Sequence, residues 1–408
     1  MIQDTEPRLR PSWLLLGPAF VAAIAYVDPG NVAANVSAGA QYGFLLVWVI
    51  VVANAMAGLV QFLSAKLGLV TGRSLPEAVA DHTRTPTRIV YWLQAELVAM
   101  ATDLAEVVGG AIALHLLFDL PLLAGGVITG AVSLVLLAIQ NRRGQRTFER
   151  VISGLLLIIA IGFLTSLFVE PPSAGEVAAG LLPRFQGAES VLLATAMLGA
   201  TVMPHAVYLH SGLARDRHGH PEAGRQRRWL LKVTRIDVGL AMLVAGAVNL
   251  AMLLVAATNL QGRDNTDSIE GAHAAVRDTL GPTVALFFAI GLLASGLAST
   301  SVGAYAGAMI MGGLLRRSYP LLLRRLVTLI PALAILAIGV DPSRALVLSQ
   351  VVLSFGIPFA LIPLVRLTSN RSLMGEDTNH RVTTALGWTV ATLISLLNVV
   401  LIYLTVKG

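Results

Sequence analysis

The chain has 408 residues, 55% of them hydrophobic and only 13% charged. Ordinary soluble proteins carry about 25% charged side chains, so the composition excludes a soluble globular protein and reads as an integral membrane protein. The absence of cysteine excludes disulfides, thiolate metal centres and thiol redox chemistry, and the formal charge of +6 belongs to membrane topology, not to nucleic-acid binding, once its distribution is followed.

Residues 1–12 are expected as a cytoplasmic tail. The apolar run after them is too long for a removable signal peptide and lacks a small-residue cleavage site. Apolar runs of bilayer length predict an all-α polytopic protein of eleven helices, at roughly 13 to 40, 43 to 69, 87 to 118, 122 to 140, 150 to 170, 188 to 214, 231 to 258, 282 to 313, 320 to 340, 342 to 365 and 383 to 405. The connections are short except at 171–187, 215–230 and 259–281, and none is long enough for a soluble domain. Trp13, Trp48, Trp92, Trp229 and Trp388 mostly fall near helix ends, as an interfacial aromatic belt requires.

The first predicted helix is interrupted by Asp28-Pro29-Gly30-Asn31. Proline removes a backbone donor and glycine loosens the chain, so the helix is expected to split there. Unwound backbone is tolerated at membrane depth only where it lines a cavity or is buried in protein, and a mid-span carboxylate is costly enough to mark function. The alternative, a simple kink with a snorkelling aspartate, is weakened by the short reach of the side chain.

In the third helix Glu96, Asp103 and Glu106 stand seven and three residues apart, which places them within roughly 80° of one another on one helix face. Such a face needs partners or protons. The sixth helix is broken at Ala200-Thr201-Val202-Met203-Pro204-His205, again with a proline and polar groups in mid-span. The eighth helix is nearly all small residues from Ala294 to Gly307, a close-packing surface. The ninth opens with Arg324 and Arg325.

Helices one to five and six to ten then form two sets of five, each opening with a proline-broken helix. An odd number per set makes the two sets insert in opposite orientation, the inverted-repeat pattern that puts a site at the midplane between the breaks. The repeats are expected at 13–170 and 188–365, with the eleventh helix at 383–405 outside them. With the N-terminus cytoplasmic, only Arg184, Arg263, Arg277, Arg344 and Lys407 of the 29 basic residues fall on the outer side. The N-terminus is therefore expected inside and the C-terminus outside.

The site's candidate ligands are Asp28, Asn31 and Met203, with carbonyls freed at the breaks, notably those of Ala25 and Ala200. One carboxylate, an amide and carbonyls suit a hard or borderline divalent cation, and the thioether adds a soft ligand that Ca²⁺ and Mg²⁺ use poorly. The mixture favours Mn²⁺ or Fe²⁺. By itself Met203 would read as core packing, the usual role of methionine in an apolar helix; paired with the break and opposite Asp28 it reads as a ligand.

The two broken-helix motifs resemble the signature motifs of the Nramp family of proton-coupled divalent metal transporters, and the similarity extends over the whole chain, including Gln94 to Glu106 and Leu323-Arg324-Arg325-Leu326. The chain is most similar to the bacterial manganese-uptake branch. The resemblance implies a five-plus-five inverted repeat in a bacterial inner membrane, and metal held by Asp28, Asn31, Met203 and the Ala200 carbonyl, with the Ala25 carbonyl joining in an inward-open state. It also favours Gln350 as a ligand in some states, which the sequence alone leaves open.

For protons the available groups are Asp28, His205, Asp103, Glu106, Glu96, Arg324 and Arg325. Such chains mark proton relays in transporters; a purely structural ion-pair lock between helices three and nine is the competing reading. His210 reads as either packed or functional, His218-Gly-His220 as a solvated turn, and Asn54 and Gln61 as groups near the metal's hydration shell or a partner helix. The expected function is import of Mn²⁺, with Fe²⁺ tolerated, together with protons, in a monomer that binds the lipid bilayer, divalent metal ions and protons but no nucleic acid. No resident cofactor is expected. A sodium-coupled symporter of amino acids or other organic solutes and a metal-dependent membrane enzyme are the alternatives.

Overall fold

The structure, a computed structural model, describes residues 16–143, 145–262, 268–317 and 321–407, with side chains described except at 136–148, 166, 321–323 and 405. The expected N-terminal tail with Arg8 and Arg10, Trp13, Arg263 and the loop tip at 264–267 lie outside the described residues, as do the side chains of Arg142, Arg143 and Arg146.

Helices α1 (Pro18–Ile24) and α2 (Pro29–Tyr42) are the two halves of the first expected helix. They are joined by one 3₁₀ turn at Ala25–Val27 and by Asp28, whose ψ of 167 is extended. The second break separates α9 (Gly187–Thr201) from α10 (Pro204–His218) through Val202 and Met203. Both breaks fall where a proline opens the following helix, the position at which its missing N–H costs nothing.

The other long helices are α3 (Val47–Thr71), α5 (Thr85–Phe118), α6 (Leu122–Arg143), α7 (Gln145–Val169), α11 (Arg225–Asn259), α13 (Pro282–Leu315), α14 (Leu321–Ile338), α15 (Pro342–Thr368) and α17 (Arg381–Lys407). Each stretch where a span is expected contains helix among the described residues. Among the described residues eight stretches are long and apolar enough to cross a membrane, one of them reaching from Pro29 to Thr71 and holding both α2 and α3, which meet at the 3₁₀ turn Gly43–Leu46.

Packing partners exchange between the two halves. The two broken helices meet each other, α2 against α9 and α1 against α10. Helix α3 packs on α10 as α11 packs on α2, and α7 packs on α13 as α15 packs on α5. The axis of this reciprocity is the most extensive contact of all, α5 against α13. Here the small residues of α13 let backbones close in. A Cβ on Gly296 would stand 3.2 Å from the Glu106 carbonyl, and one on Gly303 would stand 2.9 Å from Glu106 Oε1.

The two long outer connections each carry a short helix. A short helix α8 (Ala174–Ala179) interrupts the first, and α12 (Ile269–Leu280) fills much of the second. Helix α12 is capped by Ser268, whose side chain accepts from Gly271 N, and buries Ile269, Ala272 and Val276 on one stripe. At twelve residues it is too short to register as a span. Likewise α4 (Leu75–Asp81) forms between α3 and α5, with Glu77 accepting from the Ser74 N–H at 2.8 Å, and α16 (Arg371–Met374) lies between α15 and α17.

Candidate metal and proton site

The two breaks are adjacent in space. Proline cannot donate to the carbonyl four residues back, so Pro29 releases that of Ala25 and Pro204 that of Ala200. Asp28 caps α2, accepting from Asn31 N at 2.8 Å and from Asn31 Nδ2 at 2.9 Å. The same Nδ2 donates to the Ala200 carbonyl at 2.9 Å. From α15, Gln350 Nε2 reaches Asp28 Oδ2 at 3.4 Å. All four residues are buried, and Asn31 Oδ1 and Gln350 Oε1 have no hydrogen-bond partner among the described residues.

This arrangement has a direct chemical reading. The positive edge of the Asn31 amide bridges a carboxylate and a released carbonyl, as a cation would, while two amide oxygens are left buried and unsatisfied. Unpaired buried acceptors are costly and call for a missing partner. Rotating each amide by half a turn would aim Oδ1 and Oε1 at a cation between Asp28 and Ala200. Met203, fully buried, caps α10 three residues beyond Ala200, and Ala25 begins the 3₁₀ turn three residues before Asp28. The structure thus joins Asp28, Asn31, Ala200 and Gln350 by hydrogen bonds and places Met203 and Ala25 on the two breaks. Among the described residues no group of three His, Asp or Glu side chains is placed to hold a metal ion, and the donors at the breaks are one carboxylate with neutral groups.

Several residues that hold the site were not singled out by the sequence. Asn249 of α11 donates to the Tyr26 carbonyl at 2.8 Å and accepts from Asn35 Nδ2 at 3.1 Å, and Ser295 of α13 donates to the Val27 carbonyl. The unwound turn is therefore tied to α11 and α13. Asp237 accepts from the N–H groups of Gly17 and Ala19, at 3.1 and 3.0 Å, and anchors the start of α1. The available signal was an amide or acid in an otherwise apolar run, a costly placement in a membrane.

Helix α5 reaches the break through Gly109, where a Cβ would overlap the Pro29 ring. Glu106 lies about one turn away along α5. It is fully buried; neither carboxylate oxygen makes a hydrogen bond, and Arg325 Nη2 of α14 stands 3.7 Å from Oε2. Arg325 also pairs with Asp103 and donates to Ser133 of α6 at 3.2 Å. Arg324 pairs with Glu96 at 3.1 Å, over Gly307, where any side chain would overlap its guanidinium. The three carboxylates and two arginines predicted to meet do so. His205 stands beside this group, its Nδ1 3.3 Å from the Thr102 hydroxyl.

The remaining polar candidates separate. His210 is packed and polar at once: its Nδ1 lies 2.7 Å from Gln61 Oε1, and Gln61 in turn bonds the Tyr26 hydroxyl beside the break. Asn54 packs over Gly246 of α11. His220 Nδ1 sits 3.0 Å from the Leu69 carbonyl, as a fixed turn requires.

Comparison with known proteins places these features in a family. The family described as natural resistance-associated macrophage protein-like, Nramp, matches residues 19–404. The chain is 72% identical over 408 residues to a divalent metal cation transporter, MntH, of Mycobacterium tuberculosis (strain CDC 1551 / Oshkosh), covering 100% of this chain and 95% of that one. It is 48% identical over 390 residues to MntH of Bacillus subtilis, covering 95% and 91%. A crystal structure of a variant manganese transporter of Eremococcus coleocola superposes with a TM-score of 0.85 at 30% identity, over 97% of this chain and 88% of that chain.

Proposed function

The chain belongs to the Nramp family, and from that premise we propose that it is a secondary active importer of Mn²⁺, and also of Fe²⁺, driven together with proton entry. It is a multi-pass membrane transporter and not an enzyme. One observation carries the substrate class: a buried carboxylate, a released carbonyl and two unsatisfied amide oxygens meet between two proline-broken helices. This donor set, with the Met203 thioether at the same break, suits a borderline divalent cation. Its net charge of minus one offsets half of the ion's charge.

In this reading Asp28, Asn31, Met203, the carbonyls of Ala200 and Ala25, and Gln350 form the changing coordination shell. Asp28 exchanges its proton toward Glu106, with Asp103, Arg325, Glu96 and Arg324 beyond. The first repeat spans 13–170, the second 188–365, and the eleventh helix stands outside both. The N-terminus lies in the cytoplasm and the C-terminus outside a bacterial inner membrane. This orientation is supported by the clustering of Arg73 and Arg316 on Asp81, of Arg215 on Glu77 and of Arg227 on Asp377, at segments the basic-residue count assigns to the cytoplasm. A negative interior then favours metal entry, at about 2.3 kcal/mol per charge for each 100 mV.

A sodium-coupled symporter of organic solutes fits less well, because Asp28 stands where a substrate carboxylate would sit and Met203 would have no role. The decisive measurement is Mn²⁺ uptake into proteoliposomes carrying an internal pH dye. Asp28→Ala should cut uptake by more than about a hundredfold, the upper end of what outer-shell partners of a metal cost, while the protein still inserts. Normal uptake by this variant sinks the site assignment.

A further inference from the structure

Two prolines open the hydrogen-bond ladder of α15. Pro358 leaves the Ser354 carbonyl, and Pro363 the Phe359 carbonyl, without the donor four residues on. Both carbonyls are met from other helices. Asn398 Nδ2 of α17 donates to Ser354 O at 3.0 Å, and the Tyr208 hydroxyl of α10 donates to Phe359 O at 3.2 Å. Asn398 is buried, and its Oδ1 lies 2.7 Å from Ser354 Oγ, so both ends of one amide are engaged by one residue.

Ser354 lies about one turn beyond Gln350 on α15. Helix α9 rests on the same turn at Gly199, where an added Cβ would overlap the Gln350 carbonyl and stand 2.8 Å from Ser354 N. The turn from which Gln350 reaches Asp28 is thus held by both α9 and α17, which also pack on each other. Releasing a carbonyl gives that turn local freedom; a single amide from the eleventh helix removes it.

We propose that Asn398 is a positioning residue for the metal site: by holding the carbonyl that Pro358 releases, the helix outside the two repeats fixes the turn of α15 that presents Gln350 to Asp28. This rests on the reading that Gln350 faces the metal. A residue that served stability alone would lower the amount of folded protein without acting through Gln350.

The test is Mn²⁺ uptake by the full chain in proteoliposomes, with the melting temperature of each purified variant. Asn398→Leu should raise KM for Mn²⁺ about fivefold at a Vmax within about twofold of the parent, and the same change in a Gln350→Ala background should add less than about twofold. In a Pro358→Ala background, where residue 358 supplies an N–H for Ser354, Asn398→Leu should move KM by less than about twofold relative to Pro358→Ala alone. Equal KM factors with and without Gln350, or an Asn398→Leu effect undiminished by Pro358→Ala, overturns the proposal. If Asn398→Leu alone does not fold, recovery of fold and KM in the Pro358→Ala pair supports it, and failure to recover refutes it. Gln350→Ala with an unchanged KM would instead remove Gln350 from the metal reading, a result separate from the Pro358→Ala comparison.

Discussion

At the scale of single residues, each break has a proline that frees one carbonyl, flanked at the first by Asp28 and Asn31 and at the second by Met203. Met203 is buried at the second break, where a thioether either packs or ligates. Its removal distinguishes the two. Met203→Ala should keep appreciable Mn²⁺ uptake while Ca²⁺ and Mg²⁺ become competitors, because the oxygens that remain suit hard cations; unchanged Ca²⁺ competition would return Met203 to packing. Gly30 offers a second test. A methyl group there overlaps the Gln350 amide, so Gly30→Ala should weaken Mn²⁺ uptake about tenfold, comparable to the loss of one outer-shell partner. In a Gln350→Ala background the added methyl meets no amide, and the further loss should be small; a full tenfold loss there would mean that Gly30 acts through the backbone instead.

At the scale of elements, α5 carries both halves of the question. In its C-terminal third it touches Pro29 through Gly109, and from there toward its N-terminus Glu106, Asp103 and Glu96 pair with the two arginines of α14. A relay and a structural lock share this geometry and differ in what their loss does. For a relay, Asp103→Asn and Glu106→Gln leave the metal ligands intact while removing titratable steps. Proton entry should then fall several-fold more than Mn²⁺ entry, and uptake should lose its dependence on external pH. A lock predicts that both fluxes fall in proportion and that the purified variants melt at lower temperature. Measuring Mn²⁺ and H⁺ entry in the same liposomes decides: a constant ratio across the variants rules out the relay.

At the scale of the whole molecule, orientation is the property on which import depends. A cysteine at Glu176, exposed on α8, should react with an impermeant thiol reagent from outside, and one at Glu222, exposed between α10 and α11, only after permeabilisation. The chain's lack of native cysteine makes the labelling specific, and the reversed pattern would overturn import. What the sequence determined by itself follows from local and statistical physics. Span-length apolar runs mark the helices and mid-span prolines mark the breaks at Asp28 and Met203, since each is a property of a short stretch of chain in a bilayer, while the one-sided arginines give the orientation that the labelling tests. Tertiary structure alone decided which polar residue meets which carbonyl. Asn249, Ser295 and Asn398 look like isolated polar side chains in apolar helices; each proves to satisfy a carbonyl on a distant segment, at Tyr26, Val27 and Ser354. A proline announces in sequence that a carbonyl has been released, but the donor that answers it comes from whichever helix packs alongside, and that packing is settled only when all the helices close around the two breaks.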